Sequence, residues 1–481
     1  MARLSFLSAL LLVGFTSALG VRHRQDGYRD GYGYGSQDGG RNCVNFTIPV
    51  SISARQGVFP DIPAKANLEV TDFAQKFVQQ GRNYTATILL GYQTVEGNYD
   101  ISAQYCYPDK VGSTIQILTH GIGFDKTYWD LSFDDYEYSY TNVALKYGYS
   151  TLAIDRLGIG NSSHGDPINE IQAPLELEAL NAVTTKLRKG EIPEIKDEYK
   201  KVIHVGHSFG SVLSYWLSAL YPDNTDGLAL TGWSANGSFI GQTVAGWNLH
   251  SARLNQPFRF GDASNGAIKL LIESFLGLGR QDLVESVVNA IKTYTGNTPQ
   301  SYEVWNDIQT TEVGDIINEW NTTATRLNYS PGYITHSDLT SNQFVFLRYG
   351  NYDIGLGVVS ENTKQPVTIG ELLSLGGEPA QSSFKGPVIV FTGQYDQPFC
   401  GLDCYATGTA AASIPAEAKK NFPKGGVFEA YIQPDTGHGI NVHFNSSAGN
   451  AAAYSRVLDT TPDFILVFAR EYALGWNTCT R

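Results

Sequence analysis

The stretch VGHSFGS, residues 205–211, carries Ser208 between glycines at 206 and 210. Gly-x-Ser-x-Gly is the spacing of a serine mounted on a tight turn from a strand into a helix. Such a turn holds the serine in a strained backbone conformation, so that its hydroxyl projects bare at the sheet edge. Small residues two before and two after are needed because side chains there collide with the adjoining strand and helix. The chemistry this permits is nucleophilic attack. A serine hydroxyl is a weak nucleophile at neutral pH, so a base must take its proton and a carboxylate must orient the base. Five common residues also fall in this order by chance, so the surrounding elements must decide between a nucleophile and an ordinary turn serine.

KVIHVGHS (201–208) is an apolar run ending at the serine, and GSVLSYWLSALYP (210–222) reads as a helix that begins at once. That is the strand–turn–helix context the pattern needs. TIQILTHG (114–121), YSTLAIDR (149–156) and GLALTGW (227–233) are further nearly continuous apolar runs, as parallel strands buried on both faces require. Helical stretches separate them, at SYTNVALKYG (139–148) and PLELEALNAVTTKLRKG (174–190). VNFTIPVSIS (44–53) and YDISAQYCYP (99–108) read as an antiparallel start, PVIVFTGQYD (387–396) and VFEAYIQPD (427–435) as late strands, and TPDFILVFAREYAL (461–474) as a last helix. The alternation predicts an α/β fold, a mostly parallel sheet with helices on both faces. Between Trp233 and Pro387 the strands give way to stretches such as AIKLLIESFLGLG and RQDLVESVVNAIKTY. An interruption of that length is no loop. It reads as a large, mostly helical cap without alternating strands, with a second independent domain as the alternative.

In these motifs the chain from Cys43 to the C-terminus resembles the α/β-hydrolase family, with the cap as its variable part. The family's chain order is nucleophile, acid, histidine. By that resemblance Asp396, in TGQYDQPF past one late strand, is the acid, and His438, in PDTGHGIN past the next, is the base. His443, five residues on, is the competing base and could equally be a surface histidine. Asp403 and Asp435 are weaker acids. The family's other location for the acid, after the strand ending at Trp233, reads SANGSFIGQ and offers no carboxylate. Acyl transfer builds negative charge on the carbonyl oxygen, which two backbone N–H groups should receive. The resemblance assigns these to Phe209 and, in the loop after ILTHG, to Ile122, with Gly123 as the fallback. His120 is expected to tie that loop down. Asp155 and Arg156, in DRLGIGNSS (155–163), are expected to brace theirs, and His207 to point away and pack. TYWDLSFDDYEYSY (127–140) is expected to be helix packing with a solvated face, the alternative being an entrance for aromatic or sugar-bearing substrates.

The 481 residues carry a formal net charge of -13 and no Lys/Arg-rich block, which argues against a nucleic-acid partner. Residues 1–20, MARLSFLSALLLVGFTSALG, read as a signal peptide: Arg3, then an apolar run from Leu4 to Phe15, then small residues for cleavage. No later run reaches the length of a transmembrane helix. Seven N-x-S/T sequons, at Asn45, Asn83, Asn161, Asn236, Asn321, Asn328 and Asn445, fit a secreted glycoprotein. Five cysteines permit disulfides in that compartment, Cys43 with Cys106 and either Cys400 or Cys479 with Cys404. Residues 21–42 read as a disordered Gly/Tyr-rich segment. The expected organisation is therefore signal peptide 1–20, that segment 21–42, core 43–233, cap 234–386 and core again 387–481.

The resemblance implies a secreted serine hydrolase, lipase- or esterase-like, cleaving carboxylic esters through an acyl-enzyme on Ser208, with no metal or organic cofactor. The cap suits a bulky apolar or lipid-like substrate. An acyltransferase or peptidase on the same triad, or a non-catalytic binding protein of the same fold, are the alternatives.

Overall fold

A computed structural model describes residues 41–261 and 327–446. The signal peptide, most of segment 21–42, the two quoted cap stretches, the 461–474 helix, Cys479 and Asn321 lie outside the described residues. In chain order the strands are β1 Arg41–Val58, β2 Gly91–Pro108, β3 Thr114–Thr119, β4 Ser150–Ile154, β5 Lys201–His207, β6 Gly227–Thr231, β7 His250–Ser251, β8 Tyr333–Thr335, β9 Val367–Thr368, β10 Val388–Gly393 and β11 Phe428–Gln433. Eight of them form one sheet in the order β1-β2-β4-β3-β5-β6-β10-β11. Pairing is antiparallel for β1–β2 and β2–β4 and parallel for every neighbour from β4 onward. All residues of β3, β4 and β10 are buried, which is why these runs lack alternation. β1 and β2 extend well beyond the two short runs expected, pairing from Arg41↔Pro108 to Val58↔Gly91. β1 alternates exposed and buried side chains and is the sheet edge, so Pro49 costs it no ladder bond toward a further strand.

The helices are α1 Asn67–Phe77, α2 Tyr84–Ile88, α3 Tyr140–Lys146, α4 Ala173–Arg188, α5 Phe209–Leu220, α6 Ile240–Trp247, α7 Ala252–Asn255, α8 Pro257–Phe260, α9 Leu339–Phe346, α10 Ile354–Thr363, α11 Ile369–Ser374, α12 Gln397–Cys400 and α13 Ile414–Glu417. α5 packs on β5 and β6, and α4 on β1 and α5. The apolar side chains these contacts bury make the core. β4 and β5 lie on opposite sides of β3, so the strand order reverses there and opens a crevice at the strands' carboxyl ends.

Two expectations are corrected. Residues 127–140 are not a packed helix: a short 3-10 turn, Lys126–Trp129, is followed by Asp134, Asp135 and Tyr136 at positive φ, a backbone no helix contains. The described part of 234–386 is also not free of strands, because β7, β8 and β9 form a small antiparallel sheet. Strands of two or three residues are too short for a period to appear in the sequence. The chain divides into two compact units. In one, residues 252–261 and 327–329 are described; the Phe260 and Tyr329 rings lie 5.3 Å apart there, and Arg253 Nη1 donates to the Tyr329 carbonyl at 2.7 Å. The other contains both sheets.

Candidate active site

Ser208 sits between β5 and α5 with φ 54 and ψ −118, a conformation L-residues avoid unless their surroundings impose it. Its N–H is held by the Thr231 carbonyl at 2.9 Å. The flanking glycines are steric necessities. A Cβ on Gly206 would lie 2.4 Å from the Gly210 carbonyl oxygen, and one on Gly210 would lie 2.1 Å from the Thr119 oxygen. Phe209 is the first residue of α5, so its N–H has no acceptor within the helix and stands at the positive end of the helix dipole. The loop after β3 closes on the same serine, since a Cβ on Gly121 would come within 2.7 Å of Ser208 Cβ. Ile122 is the next residue and is buried.

Asp396 follows β10 as the N-cap of α12 and is wholly buried. Its Oδ1 accepts from the Phe399 N–H at 2.9 Å, and its Oδ2 accepts from Thr392 Oγ1 and from His438 Nδ1, the latter at 2.7 Å. Donation through Nδ1 leaves Nε2 of His438 as the lone-pair nitrogen, the tautomer a base needs. That nitrogen is buried and makes no hydrogen bond among the described residues. The His438 ring lies beside Phe346 (5.7 Å), Phe399 (5.9 Å) and His207 (4.9 Å).

The rival residues are engaged elsewhere. His443 is not a surface histidine: it is wholly buried, its Nδ1 bonds the Gly439 carbonyl at 2.8 Å, and its Nε2 accepts from the N–H groups of Arg348 and Gly437. Both nitrogens are committed to shaping the His438 loop, and burial pulls the imidazole down to about 4. Asp435 is largely exposed against Arg348, and Asp403 caps the Tyr405 N–H. His120 accepts the Arg156 N–H at Nε2, 2.9 Å, and bonds the Gly121 carbonyl through Nδ1; burial and the Arg156 charge hold it near 3. It is a neutral tie in the loop, as expected.

His207 packs as expected, with its Nδ1 3.3 Å from Thr231 Oγ1, but its orientation differs. Its ring is stacked on Tyr128 at 4.4 Å and faces His438 rather than turning away. Burial first, then the neighbouring His438 and His120, holds it well below the usual imidazole range. Tyr128 is a site residue that sequence reasoning missed; its hydroxyl accepts from the Asn441 N–H at 3.3 Å, beside the His438 loop. Phe346 was missed as well. Its ring meets His438, Phe124 and Trp247, and its carbonyl accepts the Gly439 N–H at 2.7 Å. No local pattern marks either residue, since each is an aromatic among many.

Among the described residues the only close group of metal-type ligands is Cys43, Cys106 and Asp130. The two sulfurs are joined to each other and Asp130 is paired with Arg41, so the group offers no metal site.

Residues 116–340 match the Alpha/beta hydrolase family. With this sheet order and elbow, the chain has the α/β-hydrolase fold. It is similar to a thermophilic esterase from Thermogutta terrifontis (12% identity over 75% of this chain and 95% of that one, TM-score 0.34). Epoxide hydrolase I of potato, Solanum tuberosum, gives 14%, 75%, 95% and 0.36, and epoxide hydrolase A from Mycobacterium thermoresistibile 12%, 75%, 95% and 0.36. At these scores the class rests on the family match and the sheet rather than on the neighbours. No curated protein matches the chain.

Proposed function

We propose that this α/β hydrolase is a secreted serine esterase acting on carboxylic esters with an apolar acyl or alcohol part. The observation that carries the reading is the buried Asp396–His438 pair, 2.7 Å apart, on the loops after β10 and β11, together with a serine held at positive φ between β5 and α5. Ser208 Oγ attacks the acyl carbon as His438 Nε2 takes its proton. Asp396 keeps the proton on Nδ1 and stabilises the imidazolium, and the N–H groups of Phe209 and Ile122 receive the oxyanion. The alcohol leaves with the proton from His438. Water then attacks the acyl-enzyme with His438 as base, and Ser208 is restored. An elbow serine fits acyl transfer better than epoxide opening, which needs a carboxylate nucleophile. The rings of Phe346, Phe399 and Phe124 support an apolar substrate. Support for secretion comes from residues 1–20, two disulfides and exposed sequon asparagines at 45, 83, 161 and 328. None of the described helices is long and apolar enough to cross a membrane.

The test is fluorophosphonate labelling followed by turnover of esters graded in acyl length. Wild type is expected to label at Ser208, and Ser208→Ala to lose labelling and about a thousandfold or more in turnover. A folded Ser208→Ala protein that still labels would overturn the assignment.

A further inference from the structure

Arg156 lies beside both segments assigned to the oxyanion, the loop after β3 and the start of α5, without touching the reacting atoms. Its backbone N–H is the donor that His120 Nε2 accepts, at 2.9 Å, so it fixes the start of the loop carrying Ile122. Its guanidinium carbon stands 4.7 Å from the centre of the Phe209 ring, and Phe209 supplies the other N–H. The guanidinium is in turn held by Glu176 of α4, at 2.5 Å, and by Glu371 of α11. All three side chains are buried to about one part in a hundred. Glu371 is itself fixed, since its carboxylate accepts the Thr368 N–H at 2.6 Å and caps α11. Burial pushes the Glu176 carboxyl up, the Arg156 charge opposing this and Glu371 beside it adding to it.

A buried cluster of this kind contributes little net stability over an apolar replacement, which leaves its geometry as the reason to weigh it. Both carboxylates meet one guanidinium nitrogen, Nη1, and Nε and Nη2 make no hydrogen bond among the described residues; what an ammonium does not reproduce is the planar face over the Phe209 ring. We infer that Arg156 is a positioning residue for the oxyanion hole: clamped by Glu176 and Glu371, it locks the two donor N–H groups, one through His120 and one through the Phe209 ring. The inference rests on the ester-hydrolase reading above.

Two variants probe it. Arg156→Lys keeps the charge and loses the plane; Phe209→Leu keeps the N–H and loses only the ring. Each is compared with wild type for kcat, KM and the affinity of a trifluoromethyl ketone, whose adduct with the serine carries the oxyanion. Both are expected to lower kcat about tenfold to a hundredfold, as small misplacements of catalytic donors do. KM should change less than about twofold, and ketone affinity should weaken by the same factor as kcat. The double variant should be no worse than the poorer single one, because both remove one lock. Unchanged kcat and ketone affinity in folded Phe209→Leu would overturn the inference, as would a loss of kcat without a loss of ketone affinity. Should Arg156→Lys fail to fold, Phe209→Leu alone decides. A wild type that does not label at Ser208 would instead sink the ester-hydrolase reading, which separates the two failures.

Discussion

Asp396 has its carboxylate filled by three donors, two of which, the Phe399 N–H and Thr392 Oγ1, would hold the side chain in place with or without His438. Asp396→Asn should therefore keep the fold and the position. The amide can present N–H to Nδ1, however, which favours the wrong tautomer of the base. We expect kcat to fall on the order of ten-thousandfold with KM little moved. Asp435→Asn, at an exposed ion pair with Arg348, should be nearly silent, and steady-state kinetics on both variants checks the contrast. The two histidines of the loop separate in a second way. His438→Ala should abolish turnover and leave the melting temperature near wild type. His443→Ala should lower the melting temperature instead, because it leaves the Arg348 and Gly437 N–H groups without their acceptor, each at a cost of about 1–3 kcal/mol if buried and unpaired. Calorimetry beside active-site titration distinguishes a lost base from a lost staple.

At the scale of elements, the two disulfides do different work. Cys43–Cys106 closes a separation of 63 residues across the β1–β2 register, and Cys400–Cys404 closes one of 4. Loop-closure entropy gives the long ring about 4 kcal/mol and the short one about 2. The short ring instead ties down the segment behind Asp396. α12 ends at Cys400, the Leu402 N–H bonds the Asp396 carbonyl, and the Cys404 N–H bonds that of Gln394. Replacing Cys43 and Cys106 by serine should lower the melting temperature more than replacing Cys400 and Cys404. Turnover of the folded enzyme should show the opposite order. Equal losses of turnover in the two double variants would mean that the acid loop holds its shape without the bridge.

At the scale of the whole molecule, five of the described histidines are buried and held below the ordinary imidazole range. His120 and His204 lie near 3, His443 near 4, and His207 and His336 also below the usual 6.5, burial being the first cause in each. The unfolded chain binds protons at these positions below about 6.5 while the folded protein does not, so the unfolded state gains protons as pH falls. Their contribution to stability is complete above pH 6.5 and is lost progressively toward pH 3–4. Each imidazole contributes at most about 1.4 kcal/mol per pH unit in that window. Glu176 and Asp155, raised by burial, and Glu137 act in the opposite sense, whereas His250 and the lowered carboxyls of Asp125, Asp338 and Glu361 act with the imidazoles. The melting temperature should thus decline steadily from pH 7 to pH 4, and a flat profile would show that these imidazoles are not kept neutral in the fold.

The sequence by itself determined most strands of the large sheet and the turn at Ser208, and the family resemblance supplied the chain order of the candidate site. Buried parallel strands must be apolar on both faces, so β3 through β6 and β10 show as continuous runs. The glycines at 206 and 210 answer clashes with atoms close in the same turn or on the next strand, and Asp396 and His438 stand at the ends of legible strands. The fold joins Cys43 to Cys106, the pairing expected, and it also made the choice between Cys400 and Cys479 for Cys404, since cysteine spacing alone does not fix connectivity. Only the tertiary structure decided what surrounds the site. Tyr128 reaches Asn441 across 313 residues, and Arg156 meets Glu371 across 215. The positive-φ run at 134–136 and the short strands β7 to β9 have no periodicity to betray them. Periodicity records which face of one element is buried; it carries no record of which distant side chain does the burying, and that is settled when the elements pack.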